Sequence, residues 1–490
     1  MKIFYVPEPE LFFRNGNKCA DPKVGLLNFG PSGLPTDNYE IEIGLVGTKS
    51  SNKTTKEFMN RLEYDIPGEK FPNSNVRGIS FPGVDVNRPL GFYFTIRDEF
   101  CEEISSDVIS LMKEDNSRRA KVVRAADAYY QALQDLSGVH PKPRMVIISL
   151  PKEIIHECKD PHIQSNNIKL FGRTYEELSQ IAKLPEDERP LLFDFHHFLK
   201  AKGHELNLHT QIVKPSTLEF KSTQEDPATI AWNFCSAAFY KSTGTPWKLA
   251  DLDPETIHVG ISFYRDIGDE GSPVVRASIA QVYMRTGDSQ VIRSLEIPIT
   301  RFEDTRPNLT EEQSKEVLEK AIMLYERKHD NQRPFRVVVH KKSEYTISEE
   351  SGFHQAAEGI EIQDYLHIQK ETDFRALPSS EYPMMRGSIF DVSTSAKTEF
   401  YIYTTGYIPC LATYPGNTVP SPLKVLVNEA ASPVDRLAVD IMHLTKLDWN
   451  TASFAKKLPV TVSVSEKVGE ILGEFKLNRS SPPTAYSYYM

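Results

Sequence analysis

The pattern of apolar and polar positions divides the chain into two halves that predict different sheets. In the first half, Tyr39–Val46 alternates between apolar and polar residues as a strand does, and Arg144–Leu150 is the continuous apolar run of a buried parallel strand. Residues 119–134 and 228–242 place apolar side chains at helical spacing. Strands that alternate with helices favour a Rossmann-like parallel sheet, with ligands expected at the carboxyl ends of its strands.

The second half begins with consecutive strands rather than with alternating elements. A capping box at Thr310–Gln313 then opens a helix. Strands are predicted at 257–264, 274–284, 290–298, 335–340, 360–368, 398–404 and 424–428, and further helices near 350–358 and at 432–446. Three early strands, a crossover helix and a parallel strand follow the order of ribonuclease H. We therefore predict an α/β chain with domains of residues 1–250 and 251–490 and a boundary near Ala250–Glu255.

Glycines mark two predicted breaks in the first half. Val24–Gly33 is predicted to be a glycine-punctuated loop, and it makes no dinucleotide fingerprint because no G-x-G-x-x-G follows a strand. After a helix predicted at 168–183, a second helix is expected to start within Leu191–Lys214 and to stop at Gly203. The end of that stretch is predicted to be a short strand.

Leu191–Lys214 also concentrates histidine, lysine and amide side chains. On its predicted helix, His196 and Lys200 are four residues apart and share a face. The strand predicted at Leu208–Val213 would bring Gln211 to the same end of the sheet. Donors from one helical turn and an amide from the next strand could cradle a phosphate monoester. A solvated basic face is the plain alternative.

Composition and charge narrow the kinds of function. The chain has 490 residues, of which 40% are hydrophobic and 25% charged, as in globular proteins. Its net charge of -10 repels phosphate at long range, so nucleic acid would bind only in a local basic channel. The five cysteines are scattered, and the adjacent His196 and His197 diverge on a helix, which disfavours disulfides and zinc. No apolar signal core or bilayer-spanning run is present, so a cytoplasmic location without membrane insertion is expected.

Four motifs give the chain a resemblance to a known family. The first half carries GLLNFGP at Gly25–Pro31 and, in KSTGTPW, a lysine (Lys241) before a G-x-P-W turn. The second half carries Arg386–Ser388, similar to an R-G-T element, and closes with LTKLDWNTASFAKKLPVTVSV. Together these motifs resemble the Argonaute family, specifically its short prokaryotic branch, over essentially the whole chain. The resemblance implies a Rossmann-like MID domain followed by a ribonuclease-H-like PIWI domain.

The resemblance also implies a pocket for the 5′ phosphate of a guide strand. The matching positions are His196, Lys200, Gln211 and Lys241, with a histidine where the family often has tyrosine. The lysines would act as point charges and the glutamine as a donor, while His196 could stack on the first base or add charge near its own pKa. Family members complete the pocket with the terminal carboxylate and a divalent cation, which implies Met490 and Mg²⁺ here. A carboxylate beside a phosphate repels it unless a cation bridges them.

Cleaving members of the family hold two magnesium ions with a cluster of carboxylates. At the matching positions this sequence has Ser262 in V-G-I-S and Lys342 in HKKS, and only Glu466 may keep an acid. A lysine in such a cluster would repel the metal ions directly. The nearby Asp266 and Asp269 are interpreted as a solvated turn. The resemblance therefore implies a chain that is not itself an enzyme.

The expected function is a guide-loaded sensor in prokaryotic defence, with an RNA guide and a single-stranded DNA target. Lys341, Lys342 and Arg386 would contact the backbone of the duplex, while base pairing would supply sequence specificity. The resemblance implies an APAZ-containing partner with the toxic activity: a TIR-like or sirtuin-like NAD hydrolase, a nuclease or a membrane effector. Two alternatives are an active guide-directed endonuclease and an unrelated α/β enzyme with a nucleotide cofactor, against which the missing P-loop weighs.

Overall fold

The computed structural model describes residues 1–70, 78–158, 195–220, 225–251, 253–267, 273–283, 289–298, 308–414, 416, 418–472 and 485–490. Its helices are α1 (Pro22–Phe29), α2 (Lys49–Leu62), α3 (Ser106–Glu114), α4 (Arg118–Gly138), α5 (Lys152–Cys158), α6 (Phe195–Glu205), α7 (Pro215–Leu218), α8 (Pro227–Ser242), α9 (Glu311–Lys328), α10 (Ile347–Ala356), α11 (Val434–Leu444) and α12 (Val460–Leu472). Its strands are β1 (Lys2–Tyr5), β2 (Leu11–Phe12), β3 (Lys18–Cys19), β4 (Tyr39–Gly47), β5 (Phe92–Thr95), β6 (Cys101–Glu103), β7 (Met145–Ser149), β8 (Thr210–Val213), β9 (Lys248–Leu249), β10 (Thr256–Ile267), β11 (Pro273–Tyr283), β12 (Ser289–Pro298), β13 (Arg336–Lys341), β14 (Ile362–Gln369), β15 (Ser388–Asp391), β16 (Thr398–Ile402) and β17 (Leu423–Ala430). The helix predicted at 168–183 and the residues 191–194 lie outside the described residues.

Parallel strands form the main sheet of the first half, in the order β5–β4–β7–β8, and β6 also pairs with β4. The register places Ile43 opposite Met145 and Val146 opposite Thr210. One face of β4 and β7 packs against α2 and α8, and the other packs against α4. Helices on both faces explain why these strands are almost continuously apolar. The predicted Rossmann-like sheet is confirmed.

Two predictions that rested on glycines are wrong. Val24–Gly33 is not a loop, because α1 occupies most of it and is capped by Asp21, whose carboxylate accepts from two backbone N–H groups at 2.8 and 3.2 Å. Gly203 does not stop α6, which continues to Glu205. Instead, the missing side chain leaves room for Thr210 of β8, whose Cγ2 would lie 3.0 Å from an added Cβ. The glycine thus serves close packing of the helix against the strand.

Among the described residues, nine strands form the sheet of the second half, in the order β1–β15–β16–β17–β14–β13–β10–β11–β12. β10, β11 and β12 are antiparallel neighbours, and β13 lies parallel to β10 after the crossover helix α9. The predicted capping box is present, with the Thr310 hydroxyl accepting from the Gln313 N–H at 3.2 Å and the Gln313 side chain accepting in return at 2.9 Å. Helices α9 and α10 pack on one face, and α11 and α12 contribute to the other. The predicted ribonuclease-H-like order is confirmed.

Contacts between the two halves are extensive. Strand β1, at the start of the chain, pairs antiparallel with β15, so the first residues extend the sheet of the second half. Trp247 donates its indole N–H to the carbonyl oxygen of Lys446 at 2.8 Å, and Trp449 donates to the carbonyl oxygen of Trp247 at 3.1 Å. The chain changes sheets between β9 and β10, near the predicted boundary, and the division into 1–250 and 251–490 stays a prediction. Within the described ranges, no helix is long and apolar enough to cross a membrane.

Candidate functional site

Two buried lysines meet at one backbone oxygen at the edge of the first sheet. Lys200 lies in the middle of α6 and Lys241 near the end of α8, and only 1% and 3% of their surfaces are exposed. Lys200 Nζ donates to the carbonyl oxygen of Thr210 at 2.8 Å, and Lys241 Nζ donates to the same oxygen at 3.0 Å. Because this oxygen belongs to β8, the strand determines where the two ammonium groups meet.

Two further predicted residues complete this cluster. The side-chain oxygen of Gln211 accepts a hydrogen bond from Lys241 Nζ. The main-chain oxygen of Met490, the last residue of the sequence, accepts from Lys200 Nζ. The structure therefore brings together four of the predicted pocket residues from two helices, one strand and the C-terminal segment. Their role in binding phosphate stays a prediction.

Burial disfavours the charged forms of both lysines in this cluster. Burial lowers the pKa of Lys200 from its ordinary 10.5 to about 7. Burial, and then the charge of Lys200, lower the pKa of Lys241 well below its ordinary value. Within the part of the chain that is described, neither ammonium group pairs with an Asp or Glu side chain. A bound anion would supply the missing counter-charge and return both lysines to their charged form.

His196 lies on α6 together with Lys200, and the charges of the lysines in the cluster affect its pKa. Its ring is next to that of His197, with 5.6 Å between the ring centroids. Burial lowers the pKa of His196 well below 6.5, and the charges of Lys200, His197, Lys214 and Lys241 lower it further. The ring is therefore neutral in the ligand-free protein, and a charge on it in the presence of a phosphate stays a prediction. A neutral ring can still stack on a base, so that part of the prediction stays open.

Two histidines that the sequence did not single out hold the C-terminal segment, residues 485–490, at the cluster. His204 Nε2 is 2.7 Å from the carbonyl oxygen of Tyr488, and His209 Nε2 is 2.9 Å from Ser487 Oγ. The His209 ring also stacks on Tyr488, with centroids 4.1 Å apart. Burial lowers the pKa of His204 to about 3 and that of His209 to about 4, so both rings are neutral. The density of histidine around Lys200 was the signal that could have identified them.

Lys341 is an internal ion-pair partner rather than a surface contact. Its ammonium group is fully buried and pairs with the carboxylate of Glu349. It also donates to the carbonyl oxygen of Glu344 at 3.0 Å and to Asn308 Oδ1 at 3.2 Å. A phosphate of a nucleic-acid backbone could reach this lysine only by breaking these bonds. The predicted backbone contact by Lys341 is corrected accordingly.

Arg386 is internal in the same way. Its Nε donates to the Glu8 carboxylate at 2.8 Å, and its two terminal nitrogens donate to Thr445 Oγ1 at 2.8 Å and to the Thr404 carbonyl oxygen. Glu8 pairs at the same time with Lys446 Nζ at 2.6 Å. Arg386 therefore holds the N-terminal segment against the second half, and its predicted contact with a nucleic-acid backbone is also corrected.

A different set of cations, the second basic group, is accessible on the second half and consists of Lys370, Arg375 and Lys457. Lys370 and Arg375 are exposed, and Lys457 is partly buried. Burial lowers the pKa of Lys457, and the nearby charges of Lys370 and Arg375 lower it further. An anion that binds near Lys457 would relieve this repulsion, as the carboxylate of Glu371 already does in part. No feature of the sequence distinguished these three residues from other lysines and arginines.

Ser262 and Lys342, the positions that the motif resemblance matched to metal-binding carboxylates, lie together at the end of two parallel strands. The parallel pairing of β10 with β13 ends at Ile261 and Lys341. Ser262 and Lys342 are the next residues along the chain, so they are neighbours. Ser262 is largely buried. The side chains of Glu466 and Asp266, and the whole of Asp269, lie outside the described residues. Among the residues that can be placed, no group of three His, Cys, Asp or Glu side chains could hold a metal ion.

Comparison with known proteins relates this fold to a family. The profile of the Piwi domain matches residues 181–476, which is more than half of the chain. No curated protein matches the sequence.

Among solved structures, the Argonaute of Clostridium butyricum bound to a guide DNA and a 19-mer target DNA is similar, with a TM-score of 0.62 and 14% identity over 98% of this chain and 54% of that one. Drosophila Piwi gives a TM-score of 0.58 with 13% identity over 99% of this chain and 56% of that one. Aa-Ago with externally bound siRNA gives 0.57 with 16% identity and the same coverage, 99% and 56%. The chain thus spans about half the length of these proteins, and at such identities the likeness shows the fold alone.

Proposed function

This chain belongs to the Piwi domain family, and on that premise we propose that it binds a guide strand by its 5′ phosphate and pairs the guide with a target strand. The observation that carries the proposal is the cluster of Lys200 and Lys241, two buried ammonium groups that share the Thr210 carbonyl oxygen. Burying two cations next to each other is costly unless an anion joins them. A terminal phosphate is compact and doubly charged, so it can satisfy both lysines at once.

Each residue of the proposed pocket has a separate task. Lys200 and Lys241 neutralise the phosphate, and Gln211 orients Lys241 through the hydrogen bond that its side-chain oxygen accepts. The charges of both lysines lower the pKa of His196, so its ring lies near them. Because the neutral ring is flat, we expect it to stack on the first base of the guide. A 5′-hydroxyl end would leave the two cations uncompensated. We therefore expect a strong preference for phosphorylated guides.

Magnesium is part of the proposed pocket. Met490 supplies one main-chain oxygen beside Lys200. The described residues provide no set of three metal-binding side chains around it. Mg²⁺ is commonly bound through one or two protein oxygens together with substrate phosphates. Because Lys200 already donates to the Met490 oxygen, an ion held jointly by Met490 and the guide phosphate would have to take this oxygen from the ammonium group. The ion would screen the repulsion between the carboxylate of Met490 and the guide phosphate.

The backbone of the nucleic acid needs contacts beyond the first phosphate. Since Lys341 and Arg386 are committed to internal partners, we assign this role to Lys342 and to the second basic group. Such contacts bind RNA and DNA by charge and shape and leave sequence to base pairing. We propose an RNA guide and a single-stranded DNA target. The similar Argonaute of Clostridium butyricum is bound to a guide DNA, so both kinds of guide belong in the first experiment.

The proposed outcome of target pairing is signalling rather than cleavage. In support, the motif resemblance matches Ser262 and Lys342 to positions at which cleaving members of the family carry carboxylates. An ammonium group repels a divalent cation, and a serine hydroxyl is a far weaker ligand than a carboxylate. We propose that an APAZ-containing partner carries the toxic activity, as a TIR-like or sirtuin-like NAD hydrolase or a nuclease. The guide–target duplex would then have to bind the active arrangement of the complex better than the resting one.

The proposal is tested by comparing 5′-phosphorylated with 5′-hydroxyl oligonucleotides, as RNA and as DNA, in magnesium and in EDTA. We expect Lys200→Ala to weaken binding of the phosphorylated strand by about 10- to 100-fold, the value of one or two charge-assisted hydrogen bonds. Lys202→Ala is the matched control, because Lys202 lies on the same helix and contacts the Tyr130 ring at 4.9 Å. Equal affinity of the native protein for both ends would refute the proposed pocket.

A further inference from the structure

We propose that His204 and His209 are positioning residues that set the phosphate preference of the pocket by holding the C-terminal segment, residues 485–490, in place. The inference rests on the proposed function, because it concerns the same pocket. It assigns a task to two histidines that neither the motifs nor the comparisons single out. What they hold is the oxygen of Met490, which reaches Lys200 only when the segment is fixed.

The two histidines fix consecutive parts of the segment. His204 Nε2 donates to the Tyr488 carbonyl oxygen at 2.7 Å, since a carbonyl can only accept, and its ring meets that of Tyr489 edge-on at 4.7 Å. His209 Nε2 is 2.9 Å from Ser487 Oγ, and its ring stacks on Tyr488 at an angle of 21°. Three neighbouring residues are thereby held by two rings.

One histidine lies on the same helix as Lys200, and the other lies next to the residue whose carbonyl oxygen both lysines share. His204 lies one helical turn after Lys200 on α6, on the same face of the helix. His209 immediately precedes Thr210, whose carbonyl oxygen receives both ammonium groups. The two histidines thus connect the segment to α6 and to the start of β8, where Lys200 and its acceptor oxygen lie. This coupling is what a pocket built from distant parts of the chain requires.

The segment has a second anchor that is independent of the histidines. Tyr486 is almost completely buried, and its ring lies 6.5 Å from that of Tyr240 in the main core of the first half. The segment should therefore stay attached when a histidine is replaced, while its last residues lose their fixed position. A variant of this kind tests positioning rather than folding.

The experiment measures the ratio of affinities for 5′-phosphorylated and 5′-hydroxyl RNA in magnesium. His209→Ala removes the hydrogen bond to Ser487 together with the stack on Tyr488 and should lower the ratio about fivefold to tenfold. Ser487→Ala removes only the hydrogen bond and should lower the ratio by a smaller factor, about threefold. The double variant should lose no more than the larger single effect, because the two residues act through the same contact. His204→Gln should retain most of the ratio, since an amide can still donate to the Tyr488 carbonyl oxygen, whereas His204→Leu should not.

His329→Ala is the matched control. His329 stacks on Tyr325 at 3.8 Å and bonds to its carbonyl oxygen at the end of α9, so the variant removes a similar pair far along the chain from the pocket. Affinity for the 5′-hydroxyl strand should not change in any variant. Equal losses for both strands, or additive effects in the double variant, would overturn the inference.

The outcome separates this inference from the function on which it rests. If the native protein shows no phosphate preference, the proposed pocket itself fails. If the native protein shows the preference and His209→Ala, Ser487→Ala and His204→Leu all keep it in full, the pocket stands and the positioning role is refuted.

Discussion

Replacing Lys200 by methionine should stabilise the ligand-free protein while it weakens phosphate binding. The pKa of Lys200 falls from 10.5 to about 7 on folding, so at pH 7 the unfolded chain holds this proton more tightly than the fold does. The difference corresponds to about 4 kcal/mol at pH 7. Methionine has a comparable length and no charge to desolvate. It forfeits hydrogen bonds to Thr210 and Met490 at about 1 kcal/mol each, which leaves a net gain of about 2 kcal/mol.

The lowered pKa also gives the sign of the pH dependence. Between pH 7 and 10.5 the unfolded chain binds more protons at Lys200 than the folded protein does, so the free energy of unfolding rises with pH across this window. Urea midpoints at pH 7 and near pH 9.5 measure both effects for the native protein, Lys200→Met and the control Lys202→Met. Lys200→Met should have the higher midpoint at pH 7 and a smaller rise with pH. Binding of a 5′-phosphorylated oligonucleotide, measured on the same samples, shows how much affinity Lys200→Met loses.

A midpoint for Lys200→Met below that of the native protein at pH 7, with Lys202→Met unchanged, would refute this reasoning. It would mean that the ammonium group is compensated by a partner in the ligand-free protein. An equal rise with pH in both proteins would refute the assignment of the lowered pKa to Lys200.

Three further predictions concern the second half. His340 is buried with its pKa lowered to about 3, so the protein should lose stability as pH falls from about 6.5 towards 3, and His340→Gln should reduce that loss in urea titrations. Gly260→Ala should lower the urea midpoint by the equivalent of about 3 kcal/mol or more, because an added Cβ would lie 1.9 Å from the Thr461 carbonyl oxygen, whereas Gly138→Ala, with nothing within 4 Å, should be near neutral. A guide-loaded protein should leave a complementary strand intact in Mg²⁺ and in Mn²⁺, and a discrete product on a denaturing gel would restore the alternative of an active endonuclease.

The sequence by itself predicted the types of the elements well, because periodicity reports which faces are buried. The apolar run at Arg144–Leu150 became β7, and the Thr310–Gln313 capping box opened α9 as expected. Local rules failed where tertiary packing decided the outcome. Gly203 stayed inside α6 because Thr210 packs where its side chain would be, and a helix starting from Asp21 replaced the predicted loop at Val24–Gly33.

The motif resemblance pointed to Lys200, Gln211, Lys241 and Met490, and the structure brings these four together. The oxygen at which the lysines meet is a main-chain atom of Thr210, which no side-chain motif can reveal. Sequence position likewise gave no reason to connect His204 and His209 with the last residues of the chain.

Only the tertiary structure decided which cations are available to a ligand. Lys341 and Arg386 stand in motifs that suggest nucleic-acid contacts, yet each is buried and paired with a carboxylate, unlike the equally buried Lys200 and Lys241 within the described residues. A buried charge must find an opposite charge or hydrogen-bond acceptors. Glu349 is near Lys341 in the sequence, but Glu8, which pairs with Arg386, comes from the opposite end of the chain. Motifs record which residue types a site needs, whereas burial and remote partners determine which of those residues a ligand can reach.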